Sequence, residues 1–99
     1  MNTIACDAAV RCEYRYDLTA RCPVIDEPDH YAVTVAWTPD AETYEKHALE
    51  DTLDSLSGRQ MAHEELTERL YETLADAAVA DLRVELRDTE HVEMTVVKE

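Results

Sequence analysis

Polar and apolar residues alternate one for one from Ala9 to Tyr16. Val10, Cys12, Tyr14 and Tyr16 fall on one side, and Arg11, Glu13 and Arg15 on the other. Successive side chains of a strand point to opposite faces, so this period predicts a half-buried β-strand. The pattern returns from His30 to Trp37, with Tyr31, Val33, Val35 and Trp37 in phase, and Pro39-Asp40 closes it. The stretch between, Cys22 to Asp29, then reads as a proline-bounded loop joining two strands. After it the period changes. Leu49, Leu53 and Leu56 recur at helical spacing, and Ser57-Gly58 supplies the stop, because glycine takes the left-handed conformation of a helix end without steric cost. A second helix carries Leu66, Leu70 and Leu74 as one stripe, with Glu65, Glu68, Arg69 and Glu72 around the outside. Alternation resumes in Leu82, Val84 and Leu86 against Arg83, Glu85 and Arg87. It appears again in Val92, Met94 and Val96 against Glu93, Thr95 and Lys98.

The predicted order is strand, strand, helix, helix, strand, strand, with no internal repeat or linker. Residues 1–99 therefore read as one α+β domain: an antiparallel four-stranded sheet with both helices on one face, order ββααββ. Such a sheet has edges to protect, and closure of several copies into a ring would remove them. A chain of 99 residues buries only about two-thirds of the surface its unfolded form exposes. A sizeable pocket is thus expected between subunits of a homo-oligomer rather than inside one.

Charge narrows the setting. There are 23 acidic residues against 9 basic ones, a net charge of −14, and only Lys46 and Lys98 are lysine. Acidity of this order accompanies disorder or an acidic partner-binding face, but the periodic apolar positions require a folded core. An acidic, lysine-poor surface instead suits a halophilic cytosol, since a Debye length of about 3 Å at 1 M salt screens the self-repulsion. No apolar run approaches the roughly 20 residues of a membrane span, and Met1-Asn2-Thr3 opens no basic-then-apolar signal sequence, so a cytoplasmic protein is expected.

Cys6, Cys12 and Cys22 are odd in number and form no CxxC pair, which argues against a disulfide framework and a structural zinc site. Cys12 lies on the apolar side of its strand and reads as a small buried residue. Cys22 stands among Arg21, Pro23 and Asp26 and is the thiol placed to react. With Asp29 seven residues on, the loop offers a nucleophile and a proton donor. His63-Glu64 opens the second helix, where acidic residues also serve simply to complement the helix dipole. Glu45 is one acid among many and equally reads as a solvated charge. His47 and His91, in polar surroundings, are expected at the surface. Two other classes remain open: a zinc hydrolase with Cys22, His30, His63 and His91 converging as ligands, although they lack the short paired spacings of such sites, and a non-catalytic acidic interaction module.

The order Cys22-Pro23, Asp29, Glu45, His63-Glu64 resembles the nitrile reductase family (QueF) and its archaeal QueF-like branch, within the tunnelling-fold superfamily. There a Cys-Pro-x-x-x-x-x-Asp loop precedes a strand, an isolated Glu follows it, and a His-Glu pair opens the second helix. The resemblance covers roughly Ala20 to Met94. The reductases carry a lysine-rich segment associated with NADPH; here Lys46-His47-Ala48-Leu49-Glu50-Asp51-Thr52 stands instead, and Glu50 and Asp51 would repel a dinucleotide phosphate. The reductases' glycine-rich segment in the last strand pair is replaced by Arg87-Asp88-Thr89-Glu90. The run from Ser57 to Leu66 is closest to the archaeal branch, whose members are amidinotransferases completing archaeosine in tRNA without a redox cofactor.

What the resemblance implies is a set of expectations. Cys22 adds to the nitrile carbon of 7-cyano-7-deazaguanine held in tRNA, and Asp29 protonates the nitrogen. Ammonia then displaces the thiolate. His63 would orient substrate or move protons, while Glu64 and Glu45 recognise the guanine-like edge through paired hydrogen bonds. Free cysteine, with a pKa of about 8.5, is only a few per cent thiolate at neutral pH, so Arg21 or a neighbouring subunit's His63 is expected to assist. Stacked pentameric rings with interfacial sites are the assembly the resemblance implies. Arg11, Arg15, Arg21 and Arg59 are the candidates for a local basic patch against tRNA.

Overall fold

In the computed structural model of the chain, which describes residues 1–75, 79–90 and 92–99, alternation and helical stripes become the elements their periods predict. In chain order these are β1 (Thr3–Ala5), β2 (Cys12–Arg21), β3 (Pro28–Pro39), β4 (Glu42–Tyr44), α1 (Lys46–Leu56), α2 (His63–Ala75), β5 (Val79–Asp88) and β6 (Thr95–Lys98). The expected four-stranded antiparallel sheet is present in the order β2-β3-β5-β6. Beside it, β1 and β4 form a separate antiparallel ladder that pairs Thr3 with Tyr44 and Ala5 with Glu42. Strands this short carry no readable period, so the sequence pattern left them out.

Three boundaries differ from expectation. The β2–β3 ladder begins at Cys12 opposite Trp37, excludes the exposed Val10, and runs on to Arg21 opposite Pro28. The connecting loop shrinks to six residues, 22–27, and Asp29 lies within β3 opposite Ala20 rather than in a loop. At the other end of the chain, Val92 and Met94 are exposed and precede the last strand, which pairs Thr95 to Lys98 with Arg87 to Val84. The alternation there is real in the sequence, but only its last part, from Thr95, pairs with a neighbouring strand.

One face of the sheet meets both helices. Leu18, Val33, Val35, Val84 and Leu86 from the strands and Leu49, Leu53, Leu66, Leu70 and Leu74 from the helices are all essentially inaccessible and form one cluster. Burying each leucine side chain contributes about 2 kcal/mol, so the stripes identified by spacing are what fix the helices to the sheet. Polar contacts lock the ends. The Tyr44 hydroxyl donates to the Leu74 carbonyl at 2.8 Å, and Trp37 Nε1 donates to Thr43 Oγ1 at 2.9 Å. The opposite face bears Arg15, Asp17, Thr34, Glu85 and Arg87, which line a shallow polar cleft. Between Ala36 and Thr38 the β3–β5 register shifts, beside Asp81 in left-handed backbone (φ 50°). Among the described residues no helix is long and apolar enough to cross a membrane.

Candidate active site at the end of the sheet

Cys22 and His63 are 41 residues apart in the chain, and a short parallel pairing brings them to the same end of the sheet. The α1–α2 connection runs along the outer edge of β2. Gly58 N–H donates to the Thr19 carbonyl at 2.6 Å, Arg21 N–H to the Arg59 carbonyl at 2.9 Å, and Met61 N–H to the Arg21 carbonyl at 3.0 Å. Arg21 and Gln60 thus form a parallel bridge. Gly58 (φ 80°) makes the turn that starts this run, in backbone that other L residues rarely adopt. Cys22 follows the bridge by one residue on one strand, and His63 follows Met61 by two on the other.

His63 is buried despite its polarity. Its Nε2 lies 2.8 Å from the Leu86 carbonyl, and because a carbonyl only accepts, Nε2 carries the hydrogen. In the neutral ring Nδ1 is then the atom with a free lone pair. The ring stacks at a tilt of 37° on Tyr31, with centroids 4.5 Å apart. The Tyr31 hydroxyl in turn donates to Asp29 Oδ2 at 3.4 Å, a long bond between residues two apart on one face of β3. Burial, then the Asp29 charge and hydrogen bond, then Asp88 and the Cys22 sulfur, push Tyr31 well above the usual phenol range. Tyr31 therefore stays a proton donor, and it touches His63 through its ring and Asp29 through its hydroxyl.

The loop holding Cys22 is braced by its own residues. Cys22 N–H donates to the Glu27 carbonyl, and Asp26 N–H to the Cys22 carbonyl. Arg21 donates through Nε to Asp26 Oδ1 at 2.9 Å and through a terminal nitrogen to the Asp26 carbonyl at 2.8 Å. This clamp holds Asp26 at φ 50°, left-handed backbone that a short polar side chain tolerates. Arg21's guanidinium is thus occupied in shaping the loop. Cys22 itself is half-buried, as is Asp29.

Glu64, next to His63, is exposed in the first turn of α2 and makes no hydrogen bond or ion pair with the described residues. Glu45 lies elsewhere. It caps α1, its Oε2 accepting from Ala48 N–H and its Oε1 from His47 Nδ1, both at 2.8 Å. Backbone hydrogen bonds from His47 and Ala48 lead the causes that lower the Glu45 pKa, and the Glu45 hydrogen bond leads those that raise His47. Glu45 borders an apolar recess of about 520 Å³ with Ile4, Cys12, Trp37 and Tyr44. Cys12, expected to be buried, is half-exposed on its wall. The recess sits at the Cys12 end of β2, and the ten residues to Arg21 span about 30 Å at strand rise. Glu45 therefore lies toward the opposite end of β2 from Cys22 and Asp29.

Among the described residues, the other groupings suggested by the sequence do not form. Among the described residues no three His, Cys, Asp or Glu side chains gather as metal ligands. His30 instead faces Thr19 Oγ1 at 3.3 Å and Glu90 at 3.7 Å, and His91 lies outside the described residues. The four arginines are divided: Arg21 and Arg59 adjoin across the parallel bridge, whereas Arg11 binds Thr38 and the Asp81 carbonyl near the opposite end. Tyr31 was the residue overlooked. In the sequence it is one more apolar-phase position of a strand, and only its spacing of two from Asp29 hinted at a shared face.

A four-stranded antiparallel sheet with two helices on one face, in the order ββααββ apart from the short β1–β4 ladder, is the α+β architecture of the tunnelling fold. The crystal structure of the archaeosine synthase QueF-Like in the apo form is similar to this chain over 93% of its length and 94% of that chain, with a TM-score of 0.82 and 24% identity. At that identity the likeness shows the fold. No family model matches the sequence, and no curated protein does.

Proposed function

We propose that the chain is a QueF-like archaeosine synthase, an amidinotransferase that converts 7-cyano-7-deazaguanine in tRNA to the formamidine. The observation that carries this reading is the link from Asp29 through the Tyr31 hydroxyl and ring to His63, at the end of the sheet where the Arg21–Gln60 bridge sets Cys22. The shared fold with an archaeosine synthase supports it. Cys22 thiolate adds to the nitrile carbon, and Asp29 gives its proton to the nitrogen, leaving a thioimide. Ammonia attacks the same carbon and passes a proton back to the Asp29 carboxylate. The carbon–sulfur bond then breaks, releasing the thiolate and an amidine, so the acid and the nucleophile are both regenerated. His63 Nδ1 orients the substrate, and Glu64 accepts hydrogen bonds from the guanine-like edge.

The separation of Glu45 from Cys22 favours a site between subunits, where the Glu45 recess of one copy faces the Cys22 end of another. Closure of rings edge to edge, as stacked pentamers, is the assembly proposed. Exposed Glu50 and Asp51 on α1 favour ammonia over NADPH as the second reactant, because they oppose a dinucleotide phosphate. Incubation with 7-cyano-7-deazaguanine, free or in tRNA, tests the reading by intact mass. A covalent adduct in the parent protein and none in Cys22→Ala is the expected result, with ammonium ions supporting turnover. No adduct with either substrate would refute it, and NADPH-dependent formation of the aminomethyl product would make the protein a reductase.

A further inference from the structure

Tyr31 is 3% exposed, and its ring alone would satisfy the core: it fills the row between Leu18 and Asp88 and supports His63. A phenylalanine would do as much. The hydroxyl is the extra feature, and a buried phenol hydroxyl normally finds a partner. Here the partner is the Oδ2 of the acid assigned to protonate the nitrile, not a backbone carbonyl. A carboxyl group that rotates freely presents either oxygen in many directions, whereas one oxygen drawn to a rigid ring, even by a long bond of 3.4 Å, biases the direction of the other. The ring is rigid because it is held by His63, itself tied to the Leu86 carbonyl.

We infer that Tyr31 is a positioning residue for Asp29: its hydroxyl binds Oδ2 and so directs Oδ1 and its proton toward the nitrogen of a nitrile bound at Cys22. The inference rests on the proposed nitrile chemistry. In the step it serves, the sulfur–carbon bond forms while the nitrogen takes the proton of Asp29, and Tyr31 itself neither gains nor loses one. Its ionisation is disfavoured by burial and by the neighbouring negative charges, in keeping with a donor that keeps its proton throughout.

Tyr31→Phe removes the one oxygen and keeps the ring on His63. Two reactions of Cys22 separate positioning of the acid from a general effect on the thiol. Addition to 7-cyano-7-deazaguanine needs a proton donor, whereas alkylation by iodoacetamide expels iodide and needs none. The expected result is a fall of about tenfold in the maximal rate of nitrile adduct formation, a fraction of the roughly hundredfold or greater contribution of a general acid. The half-saturating concentration and the alkylation rate should change less than twofold. In an Asp29→Asn background Tyr31→Phe should add less than twofold, because residues acting through one another are not additive. Equal slowing in both backgrounds, parallel loss of alkylation, or an unchanged adduct rate would overturn the inference while leaving the nitrile reaction intact. Absence of an adduct in the parent protein would overturn both.

Discussion

His63 offers a test in which its structural role is separable from its chemistry. His63→Ala removes the hydrogen bond to the Leu86 carbonyl and the ring stacked on Tyr31. The hydrogen bond is worth about 1 kcal/mol, and truncating the buried ring costs about 2 kcal/mol more, below the roughly 3–5 kcal/mol of a phenyl or indole ring because imidazole is smaller and more polar. The sum is about 3 kcal/mol. For a domain of this size each kcal/mol moves Tm by roughly 4–8 °C, so His63→Ala should melt about 12–24 °C below the parent. His63→Gln places an amide N–H near the position of Nε2 and fills part of the ring volume, so it should lose about 1 kcal/mol, or roughly 4–8 °C. Thermal melts followed by circular dichroism at one fixed protein concentration measure the gap, since assembly makes Tm concentration-dependent. Both variants should be slow in adduct formation despite their different stabilities. If alanine and glutamine melt within about 2 °C of one another, the bond to Leu86 is not what anchors the imidazole.

Three further outcomes are expected. Leu70→Ala, at an inaccessible position of the α2 stripe, should cost about 3 kcal/mol in urea unfolding; a loss under 1 kcal/mol would place α2 outside the cooperative core. The Glu45–His47 pair should make α1 stability depend on pH at low salt. The lowered Glu45 pKa adds stability that is complete above its ordinary value of 4.5 and lost as pH falls through the depressed one. The raised His47 pKa adds stability that is complete below 6.5 and lost as pH rises through the elevated one. His47→Ala should abolish the alkaline decline in Tm and leave the Ala48 contact to Glu45; an unchanged profile would count against the pair. Arg59 is exposed beside the Cys22 loop and pairs with no described acid. Arg59→Gln should weaken tRNA binding, reduce the slope of log affinity against log salt by about one, and leave adduct formation with the free base unchanged. Equal losses on both substrates would exclude a phosphate contact.

The large elements were legible because their period is a direct image of burial. Leu66, Leu70 and Leu74 recur at helical spacing, and all three are fully buried. The same rule misread Val92 and Met94, since alternation reports a capacity to form a strand and not a neighbour to pair with. Cys22 and Asp29 were singled out by residue type and spacing. Their relation to His63 depends on backbone pairing between Arg21 and the α1–α2 connection, which no local pattern encodes. Tyr31 was hidden by its own consistency: a tyrosine in phase with valines reads as core, and only the hydroxyl's partner distinguishes it. The position of Glu45 far from Cys22 follows from where α1 begins relative to the strand ends, again a tertiary fact.

The parallel bridge at Arg21 bears on how the chain tolerates insertions and deletions. Connections between helices ordinarily accept extra residues, because they lie on the surface and only their ends are fixed. Here Gly58, Arg59 and Met61 are each tied by backbone hydrogen bonds to β2, so the six residues 57–62 behave as a ruler rather than a tether. One residue added between Met61 and His63 would rotate the start of α2 by about 100° at 3.6 residues per turn, turning the imidazole away from Leu86 and Tyr31. In the β5–β6 turn the described ties lie at its ends, from Thr89 N–H to the His30 carbonyl and from Asp88 N–H to the Met94 carbonyl. Lengthening of the chain should therefore be refused between the helices.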